Sequence, residues 1–330
     1  MDLDIVFLGT SASVPTASRA PAALLVRRGG ERLLFDCAEG TQRQLMRSTV
    51  GLPDLEHVFV THFHADHYLG LPGMLKTFSL RQRELPLTLY GPPGLRDLYA
   101  SLGRLVGRLS YPVEVEELRA GDALGRDGYR ILCFPVDHGV SALGYAIVED
   151  ARPGRFDVAT ADALGVPPGR ERGALQRGES LTLPDGRVLG PEAVLGEPRP
   201  GRRIVISGDT APVETVRVLA EGADVLIHEA TFSEEERERA EDTLHSTALQ
   251  AAEVARDAGV RLLALTHVSP RYFGAELARE AREAFPATVV PRDFDVIEVP
   301  FAERGEPQLV KAGARPERVP RPSDLPDTAA

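Results

Sequence analysis

The sequence predicts a layered α/β fold, on three observations. Short apolar runs rich in Val, Ile and Leu recur along the chain, segments with helical spacing lie between them, and chemistry-bearing polar residues collect where the runs end. In chain order the runs read as strands at 4–8 (Asp4-Ile-Val-Phe-Leu8), 32–35, 57–60, 130–134, 204–206, 224–227, 261–265 and 296–299. Ser246 is placed to cap a helix through Ala248, Ala251, Ala252, Val254 and Ala255 that stops near Gly259. Leu277, Ala281 and Ala284 line one face of another helix.

Composition narrows the class. With 43% apolar residues among 330, the chain is globular rather than disordered. The first twenty residues lack a basic start followed by an apolar core, and no run of about 18 apolar residues occurs, so neither a secretory leader nor a membrane span is expected and the cytoplasm is the expected compartment. The two cysteines, Cys37 and Cys133, edge apolar runs and read as buried free thiols. A net charge of −11 argues against polyanion binding over the whole surface but leaves room for a local basic patch. Apart from Lys76 and Lys311 the basic residues are arginines, the better bidentate partners of phosphate.

Two segments break the rhythm. Residues 151–203 hold 16 Gly+Pro in 53 positions and nine arginines against seven acids, a charge of +2. That composition reads as an inserted arm without ordinary helix or sheet. Residues 301–330 carry five prolines and mixed charge and read as a disordered tail, leaving 1–300 as the main folded domain.

Thr61-His-Phe-His-Ala-Asp-His67 carries the strongest signal. It directly follows an apolar strand, so a rigid element delivers three imidazoles and a carboxylate within six residues, a donor set suited to zinc and similar divalent ions. His138, His228 and His267 also stand at strand ends, where ligands of α/β sheets collect. Asp209, in Ser207-Gly-Asp-Thr210, adds a carboxylate whose two oxygens suit a bridge between cations. His57 starts its strand, at the opposite end, and is assigned no role.

The series His62, His64, Asp66, His67, His138, Asp209, His267 resembles the ligand order of the metallo-β-lactamase fold over residues 1 to about 300. A narrower resemblance, to the ribonuclease Z family of tRNA 3′-processing endonucleases, rests on several stretches. They are Phe7-Leu-Gly-Thr-Ser-Ala-Ser-Val-Pro-Thr16, Phe35-Asp-Cys-Ala-Glu-Gly-Thr-Gln42, Leu69-Gly-Leu-Pro-Gly73, His228-Glu-Ala-Thr-Phe232 and His245-Ser-Thr247. In the insertion, Pro153-Gly-Arg-Phe156, Val166-Pro-Pro-Gly169 and Gly178-Glu-Ser180 are similar to that family's flexible tRNA-binding arm. Near the N-terminus, where many members carry a basic residue and an asparagine, this chain reads Ala17-Ser18-Arg19-Ala20 and keeps the arginine.

The resemblance implies a four-layer αβ/βα sandwich with an inserted flexible arm and two Zn²⁺ per subunit, Mn²⁺ or another divalent ion being the alternative. His62, His64 and His138 would hold one ion, Asp66, His67 and His267 the other, with Asp209 bridging. Asp66 would accept a proton, and Glu229 with His245 would deliver one to the leaving oxygen. Arg19, Arg170, Arg172 and Arg177 would contact RNA. The implied substrate is precursor tRNA, not DNA, cut to leave a tRNA 3′-hydroxyl and a trailer 5′-phosphate by a homodimer whose arms each serve the other subunit. The rivals are a phosphodiesterase or other hydrolase of the same fold acting on a small substrate, and a non-catalytic RNA-binding protein.

Overall fold

The computed structural model describes residues 1–52 and 55–313. They divide into two units, one built from Met1–Leu124, Ile131–Ile147 and the chain from Arg203 on, the other from Gly125–Arg130 and Val148–Arg202.

The larger unit is organised by two sheets. The first orders eight strands as Gln308–Val310, Val296–Glu298, Leu3–Gly9, Ala23–Arg28, Glu31–Phe35, His57–Phe59, Leu87–Gly91 and Val113–Glu117. Strand side chains alternate between faces, and the register turns that alternation into rows. Leu34, Val58 and Leu89 stand side by side. Their face packs with Leu45 of the helix Thr41–Arg47, Leu71, Met74, Leu75 and Phe78 of Leu71–Leu80, and Leu95 and Leu102 of Leu95–Val106. The next row, Phe35, Phe59 and Tyr90, points the other way, stacked at 5.0 and 4.6 Å between ring centroids. It meets Tyr145 of the second sheet at 5.5 Å, and the Tyr145 hydroxyl donates to the Val60 carbonyl at 2.8 Å.

That second sheet runs Thr288–Val289, Leu262–Thr266, Val225–Glu229, Arg203–Ile206, Leu143–Glu149, Tyr129–Pro135 and Ala123–Arg126. On it lies the helix Ala248–Ala258, whose buried face of Ala248, Ala251, Ala252 and Ala255 allows close approach, with Gly274–Ala284 packed alongside. Helices, sheet, sheet and helices form the expected four layers. Glu31–Phe35, His57–Phe59 and Leu87–Gly91 are parallel, as are Arg203–Ile206, Val225–Glu229 and Leu262–Thr266. Parallel strands end together, so the residues that follow Phe35, Phe59, Ile206 and Thr266 are delivered to one edge of the sandwich.

Three expectations need correction. The cap of Ala248–Ala258 is Thr247, whose side chain accepts from Gln250 N while Gln250 accepts from Thr247 N; the Ser246 hydroxyl donates to the Thr210 carbonyl instead. The chain after 300 does not leave the fold at once: Ala302–Arg304 forms a 3₁₀ turn and Gln308–Val310 pairs antiparallel with Val296–Glu298. Backbone hydrogen bonds hold this edge strand where composition offers little apolar surface. The rest of the expected tail, 314–330, lies outside the described residues.

The third correction is the insertion, which is a small folded unit. It contains the helices Val158–Ala163 and Arg170–Gln176 and a hairpin of Leu181–Thr182 with Val188–Leu189, around a core of Ala161, Val166, Leu175, Leu183 and Val194. Apart from Gly173 inside Arg170–Gln176, its glycines sit between elements, Gly165 and Gly178 closing the two helices at positive φ, so they punctuate the structure without breaking it. Where chain enters and leaves, Glu149 N donates to the Arg202 carbonyl at 2.9 Å, and Arg152 and Arg199 exchange backbone hydrogen bonds of 2.7 and 2.8 Å. Arg202 grips Glu149 bidentately at 2.7 and 2.9 Å, with side chains only 3% and 6% exposed. Arg202→Met removes the bidentate partner of a buried carboxylate and is expected to destabilise this unit by about 3–5 kcal/mol. Amide hydrogen exchange across 148–202 reads that loss, and unchanged protection would show that the pair does not close the stem.

Among the described residues, no helix is long and apolar enough to cross a membrane. Cys37 and Cys133 are free and buried.

Candidate metal centre

The site begins with how the chain leaves the His57–Phe59 strand. Val60 N still bonds the Tyr90 carbonyl at 2.7 Å, and Thr61 N donates to Asp36 Oδ1 at 2.8 Å, so the segment is pinned until His62. His64 then precedes a single helical turn, Ala65–Tyr68, which carries Asp66 and His67. His138 arrives after Tyr129–Pro135, Asp209 after Arg203–Ile206 and His267 after Leu262–Thr266.

These seven residues converge. The ligand atoms of His62, His64 and His138 lie within 4.8 Å of one another, as do those of Asp66, His67 and His267. Asp209 Oδ2 lies between the groups, 3.9 Å from His62 Nε2 and His138 Nε2, 3.3 Å from His67 Nε2 and 3.2 Å from His267 Nε2. Donors bound at about 2.0–2.2 Å to one tetrahedral ion stand roughly 3–4 Å apart, which matches this spacing. A second observation points the same way: His62 Nε2 and His67 Nε2 are buried without a hydrogen-bond partner among the described residues. Buried polar atoms left so are costly unless something else binds them, and neutral imidazoles with ionised carboxylates suit a divalent cation.

Outer contacts aim each ring. His67 Nδ1 lies 2.7 Å from Asp36 Oδ2, His62 Nδ1 3.0 Å from Thr61 Oγ1, and His138 Nδ1 3.0 Å from the Leu244 carbonyl. His267 Nδ1 lies 2.8 Å from Thr231 Oγ1. In all four, Nε2 is left for the centre, the usual second layer of a metal site. His64 presents Nδ1 instead, 3.0 Å from His138 Nε2. Asp66 Oδ2 accepts from Ser13 N at 2.8 Å, which ties the N-terminal loop to the ligand group. Of the six non-glycine residues at positive φ among those described, four are Ser13, Asp36, Leu244 and His267, so backbone strain is concentrated around this centre.

Electrostatics follow from burial and neighbours. Burial, then His67, pushes the His62 imidazole down to about 2, and burial with His138 lowers His64. For Asp66 and Asp209 burial works to raise the carboxyl, but the surrounding imidazoles outweigh it and hold both below the usual carboxylate range.

Glu229 and His245 form a second constellation beside the first. His245 Nδ1 lies 2.7 Å from Glu229 Oε1, and its ring centroid is 4.7 Å from His138 and 5.6 Å from His267. Burial disfavours charge on His245, yet the Glu229 carboxylate outweighs it and lifts the group to about 9. The arrangement presents a proton donor next to a cation-binding centre.

Other candidates fall elsewhere. Arg19 is half-buried and its Nη1 donates to Thr10 Oγ1 and the Pro291 carbonyl, at 2.7 and 2.8 Å, so it braces a loop. In the smaller unit Arg172 bonds Asp162 and the Val166 carbonyl and Arg177 pairs with Glu179 at 2.8 Å, which reduces the charge they offer; Arg170 is exposed. His228 is fully buried with Nδ1 against the Glu229 carbonyl at 2.8 Å, outside both ligand groups despite its strand-end position. The residues sequence reasoning did not single out are Ser13, Asp36, Thr61 and Thr231. Asp36 follows an apolar strand just as the histidine motif does, and that placement was the available signal.

The fold finds counterparts among known proteins. A metallo-beta-lactamase superfamily model matches residues 19–154, and a beta-lactamase superfamily domain model matches 192–268. Ribonuclease Z of Myxococcus xanthus is 50% identical over 305 residues, 91% of this chain and 99% of that protein. Ribonuclease Z of Haloferax volcanii is 47% identical over 308 residues, 92% and 97% of the two chains. The crystal structure of the short form of human tRNase Z superposes with a TM-score of 0.67 at 28% identity, covering 90% of this chain and 99% of that one. A metallo-beta-lactamase fold protein of Bacillus subtilis, 18% identical with a TM-score of 0.66 over 90% of this chain and all of that one, shares the fold.

Proposed function

Because the chain belongs to the ribonuclease Z family of the metallo-β-lactamase superfamily, we infer that its seven converging ligands hold two zinc ions and that the Glu229–His245 pair serves the reaction beside them. The enzyme is an endoribonuclease of tRNA 3′ processing, and a divalent metal belongs to its chemistry. The observation that carries the finer reading is Asp209 set between two ligand triads with His245 at their edge.

On this reading His62, His64 and His138 would hold one ion, Asp66, His67 and His267 would hold the other, and Asp209 would contribute to both. Bound there, the ions supply positive charge for the phosphate and make a water more acidic. Asp66, anchored by Ser13 N, orients that water and accepts its proton. His245 gives a proton from Nε2 to the departing 3′ oxygen, while Glu229 holds Nδ1. The water oxygen bonds to phosphorus as the phosphorus–oxygen bond to the tRNA breaks, leaving a 3′-hydroxyl there and a 5′-phosphate on the trailer.

The folded insertion takes the part of a tRNA-binding arm, in a homodimer acting in the cytoplasm; an active monomer by gel filtration would contradict the dimer. Excising residues 155–195 would join Gly154 to Gly196, whose backbones lie against each other. Their deletion is expected to raise KM for precursor tRNA by about tenfold or more, 1.4 kcal/mol of binding per decade. Turnover of a small phosphodiester should be retained. Unchanged KM for precursor tRNA would favour the small-substrate reading.

A further inference from the structure

Counting protons around Glu229 exposes a link between the two constellations. Oε1 accepts from Thr210 N at 3.1 Å and from His245 Nδ1 at 2.7 Å, and Oε2 accepts from Thr231 N at 2.9 Å and Thr231 Oγ1 at 2.7 Å. An ionised carboxylate only accepts, so the single hydroxyl proton of Thr231 is committed to Glu229. His267 Nδ1, 2.8 Å from the same hydroxyl oxygen, can then only donate to it. That places a proton on His267 Nδ1 and directs Nε2 at the carboxylates, in hydrogen-bond contact with Asp66 Oδ2 at 3.3 Å and 3.2 Å from Asp209 Oδ2, where a bound cation would take the place of any Nε2 proton. The same count leaves His245 with Nδ1–H on Glu229, 3.2 Å from the Thr231 hydroxyl as well, and with Nε2 free to carry the proton it delivers.

The contacts of the other ligands are separate. Asp36 and Thr61 serve His67 and His62, and the Leu244 carbonyl serves His138, without touching the Glu229 carboxylate among the described contacts. Thr231 alone among these spans both sides, and it is 5% exposed.

We propose that Thr231 is a positioning residue whose one hydroxyl sets His267 for the cation and Glu229–His245 for proton delivery, coupling the two. The proposal rests on the ligand and donor roles assigned above. Thr231 touches neither substrate nor reacting atoms; it acts by fixing which nitrogen of His267 carries the proton and by holding one oxygen of Glu229.

Thr231→Val keeps the shape and removes the hydroxyl, and Thr231→Ser keeps the hydroxyl. Zinc affinity by competition with a chromophoric chelator, and single-turnover cleavage of precursor tRNA at saturating zinc, give two independent readings. Thr231→Val is expected to weaken one zinc equivalent by about 10–100-fold, and at saturating zinc to remain slower than the unsubstituted enzyme. Thr231→Ser should restore both, with the metal-free melting temperature the same in all three. If the valine variant does not fold, Thr231→Ala is measured in its place. Loss of only one property, or failure of serine to restore them, overturns the coupling. His267→Ala is measured alongside: retention of both zinc equivalents there would overturn the ligand assignment itself, whereas its loss of one with Thr231→Val unaffected would overturn this proposal alone.

Discussion

Replacing His245 with alanine is expected to lower the single-turnover rate of precursor tRNA cleavage by about 10²–10⁴-fold with zinc content unchanged. His245 is outside the two triads assigned as ligands, although its ligand atom also lies within 4.8 Å of those of His138 and Asp209, and its Nδ1 is held by Glu229. Removing it takes away a proton donor without emptying the centre. A purely structural role would show differently. The helix that follows is capped by Thr247, so His245 is not its cap, and the variant should melt close to the unsubstituted protein. A large fall in melting temperature with the rate preserved would contradict the assignment, and so would loss of zinc together with rate.

Asp209→Asn is expected to weaken zinc binding and cleavage together. The substitution preserves shape and removes the charge that stands 3.2–3.9 Å from four imidazoles. Removing one member of a buried charge cluster costs about 3–5 kcal/mol, a factor of roughly 140 to 4,000 in affinity at 1.4 kcal/mol per decade. Because Asp209 touches both triads, both equivalents should weaken, whereas His64→Ala should weaken chiefly one. Elemental analysis after dialysis against a chelator measures this, and two equivalents retained by Asp209→Asn would rule out the bridge.

How much of this was legible in the sequence depends on whether a signal is local. His62 to His67 lie within six residues at a strand end, so both type and spacing could be read directly. Asp209 and His267 could be placed by the same strand-end rule. Partners across the fold could not: Asp36 meets His67 across 31 positions and Thr231 meets His267 across 36, and neither pairing leaves a trace in spacing. Uninterrupted apolar runs made most strands legible but not all: Ala22-Ala-Leu-Leu-Val26 opens the strand Ala23–Arg28, and neither it nor Leu143–Glu149 is among the expected strands. Leu87–Gly91 alternates Leu with Thr and Tyr, and Val113–Glu117 alternates Val with Glu at the sheet edge, so both lack such a run. The insertion was misread because Gly and Pro dominate its composition, while its core of Ala161, Val166, Leu175, Leu183 and Val194 is spread too thinly to show a period. Arg19 shows the converse: a residue type suited to RNA, turned inward to Thr10 and Pro291 by contacts far along the chain.

The most direct test is to incubate the zinc-loaded enzyme with a precursor tRNA carrying a 3′ trailer and map both product ends, with His64→Ala beside it. A single cut after the discriminator base is expected, with a 3′-hydroxyl on the tRNA and a 5′-phosphate on the trailer, and it should be absent in the variant. An intact precursor, in a preparation that still hydrolyses a small phosphodiester, would contradict the assignment to tRNA 3′ processing.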